Sequence, residues 1–337
     1  MPTAQLPGWT ITIDGQALGD GALPRALRCE LGMDGVGALH LDLIVPRDAT
    51  LPAIGAPISV ELSLDDASAT VFTGEIDGVR VTADGAAISA GDGLARLANS
   101  FITGVYEDQS AGAIARDLVS QAGLSAGTID DGPTLKSYAL FPGVSALAHL
   151  GRLAALIGGD LFTDGGGKVH LAAPVASGPA HTLQYGAGVL ELGLVKLPST
   201  RSGLDVWGEG AASSAGSDKA HWLPDELGGV KGQADIDGDP VYAAPADLRR
   251  EFVRDGALRT GDAAAAVAKA RAAAVRPVRG AILAIGVPAV TPGDGVTLEG
   301  LPDGHPLAQL LDTQPLRVRR VRHCFDIARG FTTRMEF

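Results

Sequence analysis

The chain is poor in aromatic residues and nearly devoid of sulfur chemistry. Aromatic side chains make up 4% of its 337 residues, and cysteine occurs only at Cys29 and Cys324. Two thiols make at most one bridge, not a disulfide framework, and nothing in the sequence asks for that bridge. Cys29, alternating with Leu27 and Leu31, reads as a small buried hydrophobe. Long apolar runs are missing: no stretch reaches the roughly 18 residues of a membrane helix. The opening MPTAQLPGW has neither the basic nor the apolar segment of a secretory signal, so a soluble protein made in the cytoplasm is expected. Excess positive charge is missing too. A formal net charge of −12 argues against a nucleic-acid-binding surface and suits a wall that must not hold a polyanion.

Catalytic signatures are equally scarce. There is no Gly-x-Ser-x-Gly elbow and no His-Glu-x-x-His, and His40, His149, His170, His181, His221, His305 and His323 never fall at metal-ligand spacing. Asp164-Gly-Gly-Gly-Lys168 lacks the Ser or Thr and the helix of a phosphate loop, and reads as a flexible hairpin loop. Asp235, Asp237 and Asp239 start like a calcium loop, but Pro240 and Ala246 stand where Gly and Glu are needed. Arg317, Arg319, Arg320 and Arg322 form a basic run. It reads as a solvated face or an intersubunit ion-pair patch, with Arg317 and Arg319 on one side and Arg320 and Arg322 on opposite faces. No catalytic, cofactor-binding or metal-binding residue is assigned, and the protein is not expected to be an enzyme.

What is present is short-element β chemistry. Glycine occurs 46 times and proline 20 times, and 46% of side chains are hydrophobic, enough for two or three packed domains. Residues 8–92 read as antiparallel strands: Trp9, Ile11 and Ile13, then Leu39, Leu41 and Leu43, then Ile58, Val60 and Leu62 alternate with polar neighbours. Residues 93–172 read as an inserted α/β region, with Ser110 capping a helix from Ala111 and a second helix from about Ser145 to Ile157. Residues 173–337 return to strands, with an irregular segment at 208–247 and a helix at 263–275 capped by Asp262. In the closing run Phe331, Thr333, Met335 and Phe337 take one face. Pro292-Gly293-Asp294 reads as a scaffold turn. The expected fold is mainly β with an α/β insertion.

The order of several C-terminal segments carries a resemblance. Gly286-Val-Pro288 to Val296, Val318-Arg-Arg-Val321-Arg-His323 and Gly330-Phe331-Thr332-Thr333 resemble the phage late-control D family. These are tail baseplate hubs related to the hub part of type VI secretion VgrG proteins. Phe72-Thr-Gly74-Glu-Ile76, Asp92-Gly-Leu94-Ala-Arg-Leu97 and Tyr106-Glu-Asp-Gln109-Ser are similar to its early segments. The resemblance implies two tube-like antiparallel β-barrel domains per chain: a first hub barrel at 1–92, the insert at 93–172 and a second hub barrel at 173–337. It implies a homotrimeric structural hub that joins a sixfold tail tube protein to a separate trimeric spike protein, beside other baseplate proteins of a contractile phage tail or tail-like particle. DNA is then a passing cargo in a lumen expected to be net negative. A baseplate-associated cell-wall hydrolase, or a carbohydrate- or protein-binding β module, is the alternative.

Overall fold

The computed structural model describes residues 7–19, 21–33, 35–46, 50–174, 178–197, 199–209, 230–236, 249–275, 278–311 and 315–337. Strands β1 (Gly8–Ile13), β2 (Gln16–Ala17), β3 (Leu23–Gly32), β4 (Ala38–Ile44), β5 (Pro57–Leu64), β6 (Ala67–Val81) and β7 (Gly85–Gly91) follow one another without a helix. Next come α1 (Gly93–Ala98), β8 (Gly104–Ser110), α2 (Ala111–Gln121), β9 (Ala126–Ile129), β10 (Thr134–Leu140), α3 (Ala146–Ile157), β11 (Asp160–Thr163) and β12 (Val169–Ala172). The remainder is β13 (Ala180–Gln184), β14 (Val189–Lys196), β15 (Gly203–Trp207), β16 (Lys231–Asp235), β17 (Arg250–Arg254), α4 (Gly261–Ala273), β18 (Val278–Ile285), β19 (Gly295–Glu299), β20 (Leu316–Arg317), β21 (Arg320–Asp326) and β22 (Gly330–Glu336). The fold is mainly β with helices confined to the middle and to α4. None of the described helices is long and apolar enough to cross a membrane.

Period-2 alternation puts one face of each long strand in the core. On β4, Leu39, Leu41 and Leu43 are buried while His40, Asp42 and Ile44 are exposed. On β22, Phe331, Thr333 and Met335 are buried. These faces share one sheet of eleven strands, ordered β14-β18-β22-β21-β3-β4-β7-β6-β5-β1-β2. The two ends of the chain meet inside it, because β3 pairs antiparallel with β21 from Ala26↔Asp326 to Gly32↔Arg320. One apolar core therefore mixes Leu39, Val60 and Phe72 with Ile282, Val321 and Met335. Among the described residues no pairing closes either β region into a ring of strands.

A second core lies under the helices. Leu118 and Val119 of α2, Leu150 and Leu153 of α3, and Leu161 and Leu171 of the β11–β12 hairpin pack with Val206 of β15 and Val267 of α4. The small sheet β16-β15-β17 and α4 thus pack with the insert. Gly232 permits this, since a Cβ there would meet the backbone of Ala264. Ser110 caps α2 through Ala113 N, as the sequence predicts, and Ser145, read as the start of the second helix, caps α3 through Ala148 N. α4 differs: its cap is Thr260, whose Oγ1 accepts from Ala263 N at 3.2 Å, and Asp262 lies inside the first turn. Thr260 is the last residue with extended backbone, so its hydroxyl is the one aimed at the free amides. The segment read as irregular at 208–247 contains β16; its stretches 210–229 and 237–248, with His221, Asp237 and Asp239, lie outside the described residues.

Candidate functional site: a charged sheet wall and the polar junction behind it

Eight successive strands, β14-β18-β22-β21-β3-β4-β7-β6, turn their wet faces to the same side. Register fixes the side chains there. Glu191 stands opposite Leu283, Leu283 opposite Arg334, and Arg334 opposite Arg322. Arg322 stands opposite Glu30, Arg28 opposite His40, and His40 opposite Ser89. Carboxylates tie the arginines down. Glu30 accepts from Arg322 Nη2 at 2.7 Å and from Arg28 Nη2 at 3.1 Å, with Arg320 Nε at 3.6 Å. Arg334 reaches Glu336 at 3.3 Å and Glu191 at 4.0 Å. Arg320 and Arg322 therefore share a face, against the sequence expectation, because residues two apart on a strand point the same way. Burial alone would raise the Glu30 carboxyl; hydrogen bonds from Arg28 and Arg322 outweigh it and hold the group below its ordinary value.

Behind the wall, the insert is joined to the C-terminal strands by polar contacts. Arg317 leaves the basic run for the interior, where its Nη1 donates to Asp160; Arg319 Nη1 donates to the same carboxylate at 3.1 Å. The expected turn at Pro292-Gly293-Asp294 lies beside this pair. Asp294 accepts from Thr291 N at 3.0 Å and faces His181 Nε2 at 2.9 Å. Gly293 has φ +95° with the Phe162 ring against it, a position closed to a side chain. Phe162 stacks on His170 at 4.9 Å, and His170 Nε2 lies 3.1 Å from Asp164. The glycine loop after Asp164 is a hairpin turn, as expected, yet it is docked: Thr73 Oγ1 donates to Gly165 O at 2.9 Å. Asp92 caps α1 through Leu94 N and Ala95 N and takes the Thr163 hydroxyl; burial pushes its carboxyl up.

Chemically, these groups hold elements together. Tyr138 Oη lies 3.2 Å from His149 Nδ1, both buried, with Arg152 over the ring and paired to Asp255 at 2.7 Å. Burial pushes the Tyr138 phenol up to about 12, and burial and Arg152 lower His149. A phenol held neutral between packed elements is a structural hydrogen bond. His323 is buried between Thr333 and the Val290 carbonyl, and His40 is exposed on the wall. Cys29 is fully buried; Cys324 is half-buried and on the other face of β21, and both are free thiols. Among the described residues no group of three or more His, Cys, Asp or Glu is placed to hold a metal ion. A cavity of about 570 Å³ at the β1–β2 turn is lined mainly by Ile13, Leu18, Leu43, Val45, Pro46 and Ile88, with Asp14 the one charged residue among the described residues that line it. Sequence reading did not single out Asp160 or the Tyr138–His149 pair. Only Asp160's place just after the Gly158-Gly159 helix stop signalled a carboxylate entering the core.

No family model matches the chain, and no curated protein matches it. Solved structures do. The 43 kDa tail protein of prophage MuSo2 from Shewanella oneidensis is 16% identical with a TM-score of 0.65, over 98% of this chain and 97% of that one. The tail protein of Neisseria meningitidis MC58 is 14% identical with a TM-score of 0.67, over 98% and 96%. The E. coli c3393 protein is described as a component of the type VI secretion system with structural similarity to the T4 bacteriophage tail proteins gp27 and gp5. It is 14% identical with a TM-score of 0.57, over 97% and 75%. At such identity the likeness establishes a shared fold.

Proposed function

We propose that the chain is a structural protein of a phage tail or tail-like particle, located in the tail baseplate. In this reading it is the hub of a contractile tail, of the late-control D type and related to VgrG hubs. It acts as a homotrimer that joins the sixfold tube protein to a separate trimeric spike among other baseplate proteins, and it performs no catalysis. The observation that carries the proposal is the fold shared over almost the whole chain with tail proteins. Two tube-like barrels per chain, first at 1–92 and second at 173–337 around the insert at 93–172, belong to the same reading. Three chains then offer six similar surfaces above and a threefold seat below.

The eight-strand wall supports this function. A tube lining must be polar, continuous and unable to grip what passes. Here arginines and carboxylates nearly balance, and Arg28, Arg320, Arg322 and Arg334 are already held by Glu30 and Glu336. In this reading the wall is neutralised by pairing rather than by an excess of negative charge. Paired guanidiniums exchange few counterions with phosphate, so DNA in a phage tail passes as cargo. Labelling purified tail particles of the producing strain with gold-bound antibody fragments against this chain tests the location. Label confined to the tube's baseplate end is expected; label along the tube, or intact particles without label, contradicts it.

A further inference from the structure

The cavity of about 570 Å³ beside the β1–β2 turn lies at one end of the eleven-strand sheet. It sits where β7 begins, at Ala86, whereas the insert leaves from the other end of β7, after Gly91. Its volume falls within the about 300–1,000 Å³ usual for small-molecule sites. Among the described residues that line it, the only polar side chains are Asp14, Gln16 and Thr50, and all three residues are exposed. The floor is apolar and nearly dry: Leu43 is 4% exposed and Ile88 1%. Polar groups therefore stand at the mouth, and the cavity narrows inward between aliphatic walls. Water inside it finds too few partners, and an empty apolar void forfeits contacts with its lining.

We propose that this cavity binds one unbranched hydrocarbon chain carrying an ammonium head. The walls select the chain. Ile13, Leu18, Leu43 and Val45 offer aliphatic surface, and none of the described lining residues is aromatic. A flat ring finds no face to stack on there, whereas a flexible chain follows a tapering slot, and each methylene it buries adds to binding. Asp14 selects the head. It is the one charged residue among the described lining residues, and no Lys or Arg stands among them to hold a carboxylate or sulfate head. The turn fixes its place. Asp14 has φ +51° and Gly15 φ +75°, the pairing of a tight two-residue hairpin turn, and Asp14 N donates to the Pro57 carbonyl at 2.9 Å. The backbone that carries the carboxylate is thus held at the mouth, with the apolar floor behind it.

The test is a titration of the full chain with dodecylammonium below its micelle concentration, with dodecanoate as the second arm. Calorimetry and the methyl NMR signals of Ile13 and Ile88 report it. Saturable one-to-one binding of dodecylammonium, tighter than that of dodecanoate, is expected, with both methyl signals shifting along the same curve. Asp14→Asn keeps a residue at ease with positive φ and is expected to weaken dodecylammonium by about threefold to fivefold, the size of an exposed ion pair, without weakening dodecanoate. Ala86→Leu, which fills the floor, and Ala53→Trp, which covers the mouth, are each expected to abolish binding of both. A parent-like melting temperature shows that a variant is folded. Dodecanoate bound as tightly as dodecylammonium overturns the head assignment. Binding that leaves Ile88 unshifted is adsorption to the acidic surface and overturns the site. No saturable binding, or binding unchanged in a folded Ala86→Leu or Ala53→Trp variant, overturns it too and leaves the cavity to a partner protein's side chain.

Discussion

His323 on β21 stands directly opposite Cys29 on β3, the point where the two ends of the chain become one sheet. Both are buried. His323 is held by Thr333 at 3.1 Å and the Val290 carbonyl at 3.3 Å, so the buried face of the seam is polar at His323 and apolar at its neighbours Leu31, Val321, Leu27 and Phe325. A cooperative unit spanning both chain ends follows from that geometry.

Phe325→Ala, which empties the seam opposite Leu27, is expected to lower stability by about 3–5 kcal/mol. Hydrogen exchange should show β4 and β22 losing protection together. Loss confined to β21 and β22 would mean that the halves fold independently.

Acid should weaken the fold through the same residue. Burial lowers the His323 pKa to about 4, against about 6.5 in an unfolded chain. Below pH 6.5 the unfolded chain takes up a proton that the folded one refuses. Stability is therefore full above about pH 6.5 and falls until about pH 4, by about 3 kcal/mol in total. The facing Cys29 thiol, pushed up by burial, stays neutral throughout. Asp92, raised by burial, works in the opposite sense, while the lowered carboxyls of Glu30 and Asp164 add to the acid loss at lower pH. Denaturation midpoints between pH 7.5 and 4.5 should fall in the parent and flatten in His323→Gln; equal slopes would rule His323 out.

The Arg317–Asp160 pair gives an asymmetric prediction. Asp160→Asn leaves a buried guanidinium whose Nε and Nη2 already have no partner among the described residues, and should cost about 3–5 kcal/mol. Replacing both, Arg317→Met with Asp160→Leu, should recover most of that loss. Urea denaturation of the three proteins decides it; a double variant as weak as Asp160→Asn would show that the pair contributes more than mutual neutralisation.

At α4, Thr260→Ala should cost about 1 kcal/mol and Asp262→Ala only a few tenths. Equal losses by thermal denaturation would return the cap to Asp262.

The strands were legible because their chemistry is local. Alternation at Trp9–Ile13, Leu39–Leu43 and Phe331–Phe337 names both the element and its buried face, and Ser110 and Ser145 announce their helices. Pairing between distant strands is not local: nothing near Cys29 says that its neighbour is His323. The basic run shows the same limit. Arg320 and Arg322 go to the wall, yet Arg317, three residues earlier, turns inward because Asp160, on the insert, waits in the core. The cap of α4 was missed for a smaller reason, since Thr260 and Asp262 both carry capping oxygens and only backbone conformation separates them.

The central claim is that this chain is built to assemble. Native mass spectrometry of the purified full-length protein addresses it most directly. A closed three-copy species, dissociating into single copies without long-lived larger aggregates, is the expected result. A monomer at every concentration up to the solubility limit would contradict it.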